Sequence, residues 1–196
     1  MKICLDLRTA VGPMHGIARY GIELVRALQE LDQVYQILIL EGSQRLPDLG
    51  RHRSTRVIRC SVGPYSLLEQ FWVPRLMARL RPDLYHCLTY GCPAFLRPPF
   101  LFTVHDLLPL TRRREFGWSR RFYFQTLVRA AARRSSRILV VSQYTLTCLS
   151  QWLPRASRKI RMVPSGGDHM RKIDVTEEDR SRFLGINPEN RPFFLS

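Results

Sequence analysis

Short apolar runs alternate along the chain with stretches whose hydrophobic residues recur every three to four positions. This alternation predicts a parallel sheet covered by helices. Residues 3–7 read as a first strand, which ends in a glycine- and proline-bearing loop over 9–16. Ile17, Leu24, Val25, Leu28 and Leu31 then mark one face of a helix. Strands are expected at 35–40 and 56–60, and a helix at 64–80 that opens at Pro64 and stops before Pro82. Further strands are expected at 84–88, 100–104, 137–141 and 160–163. Ser142 stands where it would cap a helix running to Trp152. Seven strands with helices between them predict an α/β fold, a Rossmann-like doubly wound parallel sheet.

The texture changes after Pro164. Ser165, Gly166, Gly167 and Asp168 form a turn signal, and residues 174–182 are polar and acid-bearing. Residues 191–196 begin another strand-like run. The expected organisation is one domain over 1–170, then a linker and the first strand of a truncated second domain over 171–196. Asp6 interrupts what a signal peptide would need as its apolar stretch, and no apolar run approaches the roughly 20 residues of a membrane-spanning helix. Five scattered cysteines without a C-x-x-C pair suit free thiols in a reducing compartment. The expected location is cytoplasmic.

Charge adds a second theme. The chain carries a formal +15, and all but three of its 31 cationic residues are arginine. Arginines cluster at 112–114, 120–121 and 133–134, interleaved with Phe116, Trp118, Phe122, Tyr123 and Phe124. A basic, aromatic segment over 112–134 fits an interfacial helix resting on an anionic membrane surface, which would make the chain peripheral on the inner face of the cell membrane. A half-buried helix with a solvated arginine face is the alternative. A nucleic-acid-binding module would need a reading motif as well as charge, and the sequence contains none.

In open α/β sheets ligands collect beyond the carboxyl ends of the strands. The loop over 8–16 runs straight into a helix start, where free backbone N–H groups can hold a phosphate or a sugar hydroxyl. It lacks both G-x-G-x-x-G and G-x-x-x-x-G-K-[ST], which weakens a dinucleotide oxidoreductase and a P-loop kinase alike. His105 and Asp106 follow a buried strand, in a position where structure alone gives a histidine little to do. The imidazole can donate to a sugar hydroxyl or phosphate. Asp106 could orient it, accept a proton or cap the following turn. A Ser-His-Asp nucleophile is disfavoured for want of a nucleophile elbow. His86, Cys87 and Cys92 lack a fourth ligand at zinc-site spacing, so no metal is expected.

Four segments together resemble one family. Gly16-Ile17-Ala18-Arg19-Tyr20 is similar to the G-I-x-R-Y opening of bacterial family-four glycosyltransferases, and residues 102–109 to their T-x-H-D-L-x-P segment. Residues 138–145 resemble V-S-x-[FY]-[ST], and 159–168 resemble K-I-x-V-x-x-N-G-V-D, with Ser165 and Gly167 in place of Asn and Val. The resemblance implies the N-terminal half of a GT-B architecture: two Rossmann-like domains facing across a cleft. It implies retaining transfer of a sugar from a nucleotide-sugar donor, of a mannosyltransferase-like kind, in cell-surface polysaccharide synthesis. The acceptor would be a saccharide or a lipid-linked saccharide. The nucleotide-sugar is a co-substrate, and no resident cofactor is implied. By the same resemblance Gly16 lies beneath the donor phosphates, with Arg19 and Tyr20 beside it. His105 faces the transferred sugar with Asp106, and Ser142 lines the cleft wall. The donor-holding half is absent from the sequence, so this stretch alone is expected to be inactive.

Overall fold

The computed structural model describes residues 1–10, 15–31, 36–41, 49–108, 122 and 124–166. Seven strands form a single parallel sheet: β1 (Lys2–Asp6), β2 (Gln36–Glu41), β3 (Thr55–Arg59), β4 (Leu84–Cys87), β5 (Phe100–Val104), β6 (Arg137–Val140) and β7 (Ile160–Met162). Their order is β3-β2-β1-β4-β5-β6-β7, the doubly wound Rossmann order with one strand added. The strand order reverses between β1 and β4, which pair in register from Ile3 with Leu84 to Asp6 with Cys87. A crevice therefore opens beyond the carboxyl ends of those two strands.

Alternation within the strands sorts the core into two layers. Ile3, Leu5, Ile37 and Ile39 face one way and meet Ala18, Ile22 and Val25 of helix α1 (Gly16–Glu30). Cys4, Leu40, Tyr85 and Cys87 face the other way. They pack with Val73 and Met77 of α2 (Glu69–Leu80), Ala131 and Ala132 of α3 (Arg129–Arg134), and Leu149 of α4 (Gln143–Trp152). Both faces are covered, which is why the strands are continuous apolar runs. Gly21 lets α1 approach closely, since a Cβ there would lie 2.6 Å from Leu88 Cδ1 and 3.3 Å from Leu7 Cγ.

The strand expectations hold to within one residue at each described end. The helix expected over 64–80 starts instead at Glu69. Tyr65 has φ 63°, a left-handed conformation that no helix tolerates, and its N–H donates to Glu69 Oε1 at 3.1 Å. The α2 helix ends as expected at Leu80, with Arg81 left-handed at φ 47°. Leu31 lies past the end of α1 and is exposed. A π-helical turn, Phe124–Val128, runs into α3, whose last carbonyls are gathered by Lys159. Its Nζ donates to the carbonyl oxygens of Arg133 at 2.6 Å and Ser135 at 2.8 Å. A cation at a helix C-terminus also complements the dipole.

The described fold belongs to a compact unit spanning Met1–Ser165; a second unit, Gly166–Ser196, lies outside the described residues except for Gly166. The expected interdomain segment 171–196 and the arginine clusters at 112–114 and 120–121 also lie outside them. No helix among the described residues is long and apolar enough to cross a membrane.

Candidate active site

The chain beyond β1 is held by a buried ionic cluster. Arg8, 1% exposed, donates from Nη2 to Asp6 Oδ2 at 2.7 Å and to Glu69 Oε2 at 3.1 Å. Its Nη1 donates to the Val62 carbonyl at 3.0 Å, and the Tyr85 hydroxyl donates to Asp6 Oδ2. Burial works against the charged guanidinium, but Asp6 and its other partners outweigh it and hold the Arg8 pKa above its ordinary value. One side chain thus ties the end of β1, the segment after β3 and the first residue of α2 into one platform at the switch point.

On that platform stands the start of α1. His15 caps it: Nδ1 accepts from Ala18 N–H at 3.4 Å, and Nε2 donates to the Thr9 carbonyl at 3.1 Å. The ring therefore clips the helix start to the loop after β1. Gly16 follows, exposed, and a Cβ built on it would meet nothing within 4 Å. Packing among the described residues does not require glycine there. Arg19 is exposed, whereas the next residue, Tyr20, one turn on from Gly16, is half-buried.

Tyr20 meets His105, the histidine just past the end of β5. The rings of Tyr20 and His105 lie 5.0 Å apart at 83°, an edge-to-face contact. His105 Nε2 lies 3.0 Å from the Leu88 carbonyl, which can only accept, so Nε2 carries the proton and Nδ1 is the lone-pair nitrogen of the neutral ring. Burial lowers the His105 pKa, partly opposed by the Leu88 carbonyl and Asp106. The neutral form is favoured. Sequence reasoning found no structural use for a histidine at this strand end; the Leu88 bond corrects that, since His105 also joins β5 to β4.

Beneath this pair lies His86, whose Nε2 is 2.9 Å from Thr103 Oγ1. Burial, with the nearby His105, lowers its pKa to about 3. Thr103 also bears on the Tyr20 hydroxyl, whose pKa burial raises. Ser142 caps α4 as expected: its Oγ accepts from Thr145 N–H at 3.1 Å and lies 2.9 Å from Thr145 Oγ1. The Thr145 hydroxyl donates to the His105 carbonyl at 3.4 Å. Asp106 is exposed, and its Oδ1 accepts from Leu108 N–H at 3.0 Å, closing a turn.

Of the residues singled out from sequence, Tyr20, His105 and Ser142 are thus linked at one sheet edge, with Gly16 one turn from Tyr20. Asp106 bears on His105 through its charge, while Arg19 lies exposed on the surface of α1. Sequence reasoning missed His15, Arg8, Glu69 and the aromatic pair Tyr65 and Tyr90, whose rings lie 5.2 Å apart beside Gly91. An acidic residue opening α2 and a D-x-R at a strand end are the only signals that could have pointed to the ionic cluster.

The profile of Glycosyltransferase Family 4 matches residues 14–171, most of the chain, and the chain belongs to that family. That span contains the start of α1, His105 and Ser142. No curated protein matches the sequence significantly. Among solved structures, the fold is similar to a Glycyrrhiza uralensis protein, UGT73P12, determined in complex with glycyrrhetinic acid 3-O-monoglucuronide. Identity is 12% and the TM-score 0.46, over 85% of this chain and 48% of the other. The present chain thus spans about half the length of that protein.

Proposed function

We propose that this chain is the acceptor-side half of a retaining glycosyltransferase of GT-B architecture. It moves a hexose, mannose-like, from a nucleotide-sugar to a saccharide or lipid-linked acceptor in cell-surface polysaccharide synthesis. Residues 1–170 form the acceptor-side domain, and 171–196 lead into the domain that holds the donor. The observation that carries this reading is the junction of Tyr20, from the start of α1, with His105, from the end of β5, in a chain of this family.

The chemistry follows from the groups in place. Transfer breaks the bond from the anomeric carbon to the diphosphate oxygen and forms one to the acceptor hydroxyl oxygen on the same face. The acceptor proton passes to the departing diphosphate. The amino end of α1, with only hydrogen at Gly16, presents to that diphosphate the Gly16 and Ile17 N–H groups, which have no partner among the described residues. His105, neutral, orients the sugar through Nδ1 and stabilises charge as it develops. It is not a nucleophile. Ser142 and Thr145 support the His105 backbone from behind.

The surface beside the crevice favours a lipid-linked acceptor on an anionic membrane. Leu67, Leu68, Phe71 and Trp72 are 58–68% exposed where α2 begins at the carboxyl edge of the sheet. Ala94 N–H donates to Gln70 Oε1 at 2.9 Å, bringing exposed Phe95 to the same end of α2. Contiguous apolar exposure beside arginines suits a membrane interface. This surface supports the reading of a protein peripheral on the inner face of the cell membrane, with α2 as the described element of that contact and residues 112–121 and 123 outside the described residues.

The test is release of nucleoside diphosphate by the full-length gene product, offered a panel of nucleotide-sugars with saccharide and polyprenyl-linked acceptors. Acceptor-dependent release, with the anomeric configuration of the donor kept in the product, is the expected result. Inversion of configuration, or no turnover with any sugar donor, overturns the reading.

A further inference from the structure

The opposite edge of the sheet holds a second concave site. A cavity of about 340 Å³ lies where β1, β2 and β3 begin and α2 ends. Lys2, Arg53, Arg56 and Arg79 line it, from three separate parts of the chain, together with the hydroxyl residues Ser54 and Thr55. A five-residue strand at about 3.3 Å per residue separates this edge from the candidate active site by roughly 16 Å.

Four cations around one hollow repel one another, and this is offset only in part by Asp83, whose Oδ2 accepts from the Lys2 backbone N–H at 2.7 Å. No carboxylate occurs among the described lining residues. Two arginines elsewhere have acidic partners, Arg8 with Asp6 and Glu69, and Arg26 with Glu23. Among the described residues, Arg53, Arg56 and Arg79 have neither an ion pair nor a side-chain hydrogen bond. Lys2 is anchored differently: its Nζ donates to the Leu80 carbonyl at 3.1 Å, which holds the ammonium against the end of α2. Thr55 Oγ1 accepts from Gln29 Nε2 at 2.7 Å, which leaves its own hydroxyl proton for another acceptor.

From this arrangement we infer that the amino-edge cleft is a binding site for a phosphate-bearing anion, separate from the sugar-transfer crevice. Phosphate is the ligand class because it combines multiple negative charge with several acceptor oxygens, which guanidinium groups match in pairs. Binding would relieve the repulsion among the four cations. The phosphate could be free or belong to a lipid headgroup. The inference is independent of the proposed glycosyl transfer.

The experiment uses the full-length gene product in two arms: titration calorimetry with inorganic pyrophosphate, and co-sedimentation with phosphatidylcholine vesicles with and without phosphatidic acid. Three proteins are compared: the unaltered protein, Arg53→Gln/Arg56→Gln, and the charge-matched Arg155→Gln/Arg158→Gln, whose side chains are exposed outside the cleft. Arg79→Gln serves as an independent cleft variant should the double variant fold poorly. Expected is binding in at least one arm that weakens at least tenfold in the cleft variants and stays within twofold in the outside variant. Pyrophosphate binding identifies a free phosphate ligand, whereas vesicle binding alone identifies a headgroup. Equal loss in cleft and outside variants reduces the effect to the chain's overall +15 charge and overturns the inference. Absence of binding in both arms overturns it equally.

Discussion

His105 Nε2 donates to the carbonyl of Leu88, 17 residues earlier in the chain, at 3.0 Å. The bond exists because β4 and β5 are neighbours and both end at the same edge. It fixes the tautomer before any substrate arrives, leaving Nδ1 as the free acceptor.

His105→Ala in the full-length enzyme should therefore lower turnover by about 10²- to 10³-fold, in the range of losses for a positioned polar group at a reacting centre. Steady-state kinetics with thermal unfolding measured alongside checks this. Unchanged turnover in a folded variant removes His105 from the mechanism.

Gly16 and Gly21 should respond oppositely to the same substitution. Gly16→Ala adds a methyl group into open space at a helix start, so stability should hold or rise by about 0.4–1 kcal/mol. Donor KM should nonetheless increase, because that methyl group occupies the approach to the α1 N–H groups. Gly21→Ala should cost about 1–3 kcal/mol, since its Cβ collides with Leu88 Cδ1. Denaturant melts and donor kinetics on both variants separate the two roles.

Acid should destabilise the domain through His86. Its pKa falls to about 3 in the fold, so the unfolded chain binds the proton more readily. This contribution is fully present above the ordinary histidine range near 6.5 and is lost as pH drops from there toward 3, by up to about 1.4 kcal/mol per pH unit. His86→Asn should flatten that part of the stability curve. A slope unaltered by the substitution would assign acid lability to other groups.

Arg8→Met should cost about 3–5 kcal/mol, because it leaves the Asp6 and Glu69 carboxylates buried without their cation. Pairing it with Asp6→Asn and Glu69→Gln should recover part of the loss. Chemical denaturation of the single and triple variants measures the recovery.

The strands and the Ser142 cap were legible because they are written in local signals: runs of β-formers, and a serine just before a helical pattern. The start of α2 was not. Pro64 imitates a helix opening, but Tyr65 is held left-handed by a bond from its N–H to Glu69, and no propensity records that partner. The His15 cap escaped notice because histidine is not among the usual capping residues. Tyr20 and His105 were each visible as motif residues, yet their contact spans 85 positions and depends on the order of strands within the sheet. The Arg8 cluster was hidden for the same reason, with Glu69 separated from Arg8 by 61 positions.

An open sheet leaves two raw borders, and β3 forms one of them. Its sequence, Thr-Arg-Val-Ile-Arg, keeps Arg56 and Arg59 exposed along that border. Each copy of the protein thus shows any other copy a charged margin instead of a bare backbone template. Strand-by-strand growth into fibrils is discouraged by the same arginines that make the chain so basic.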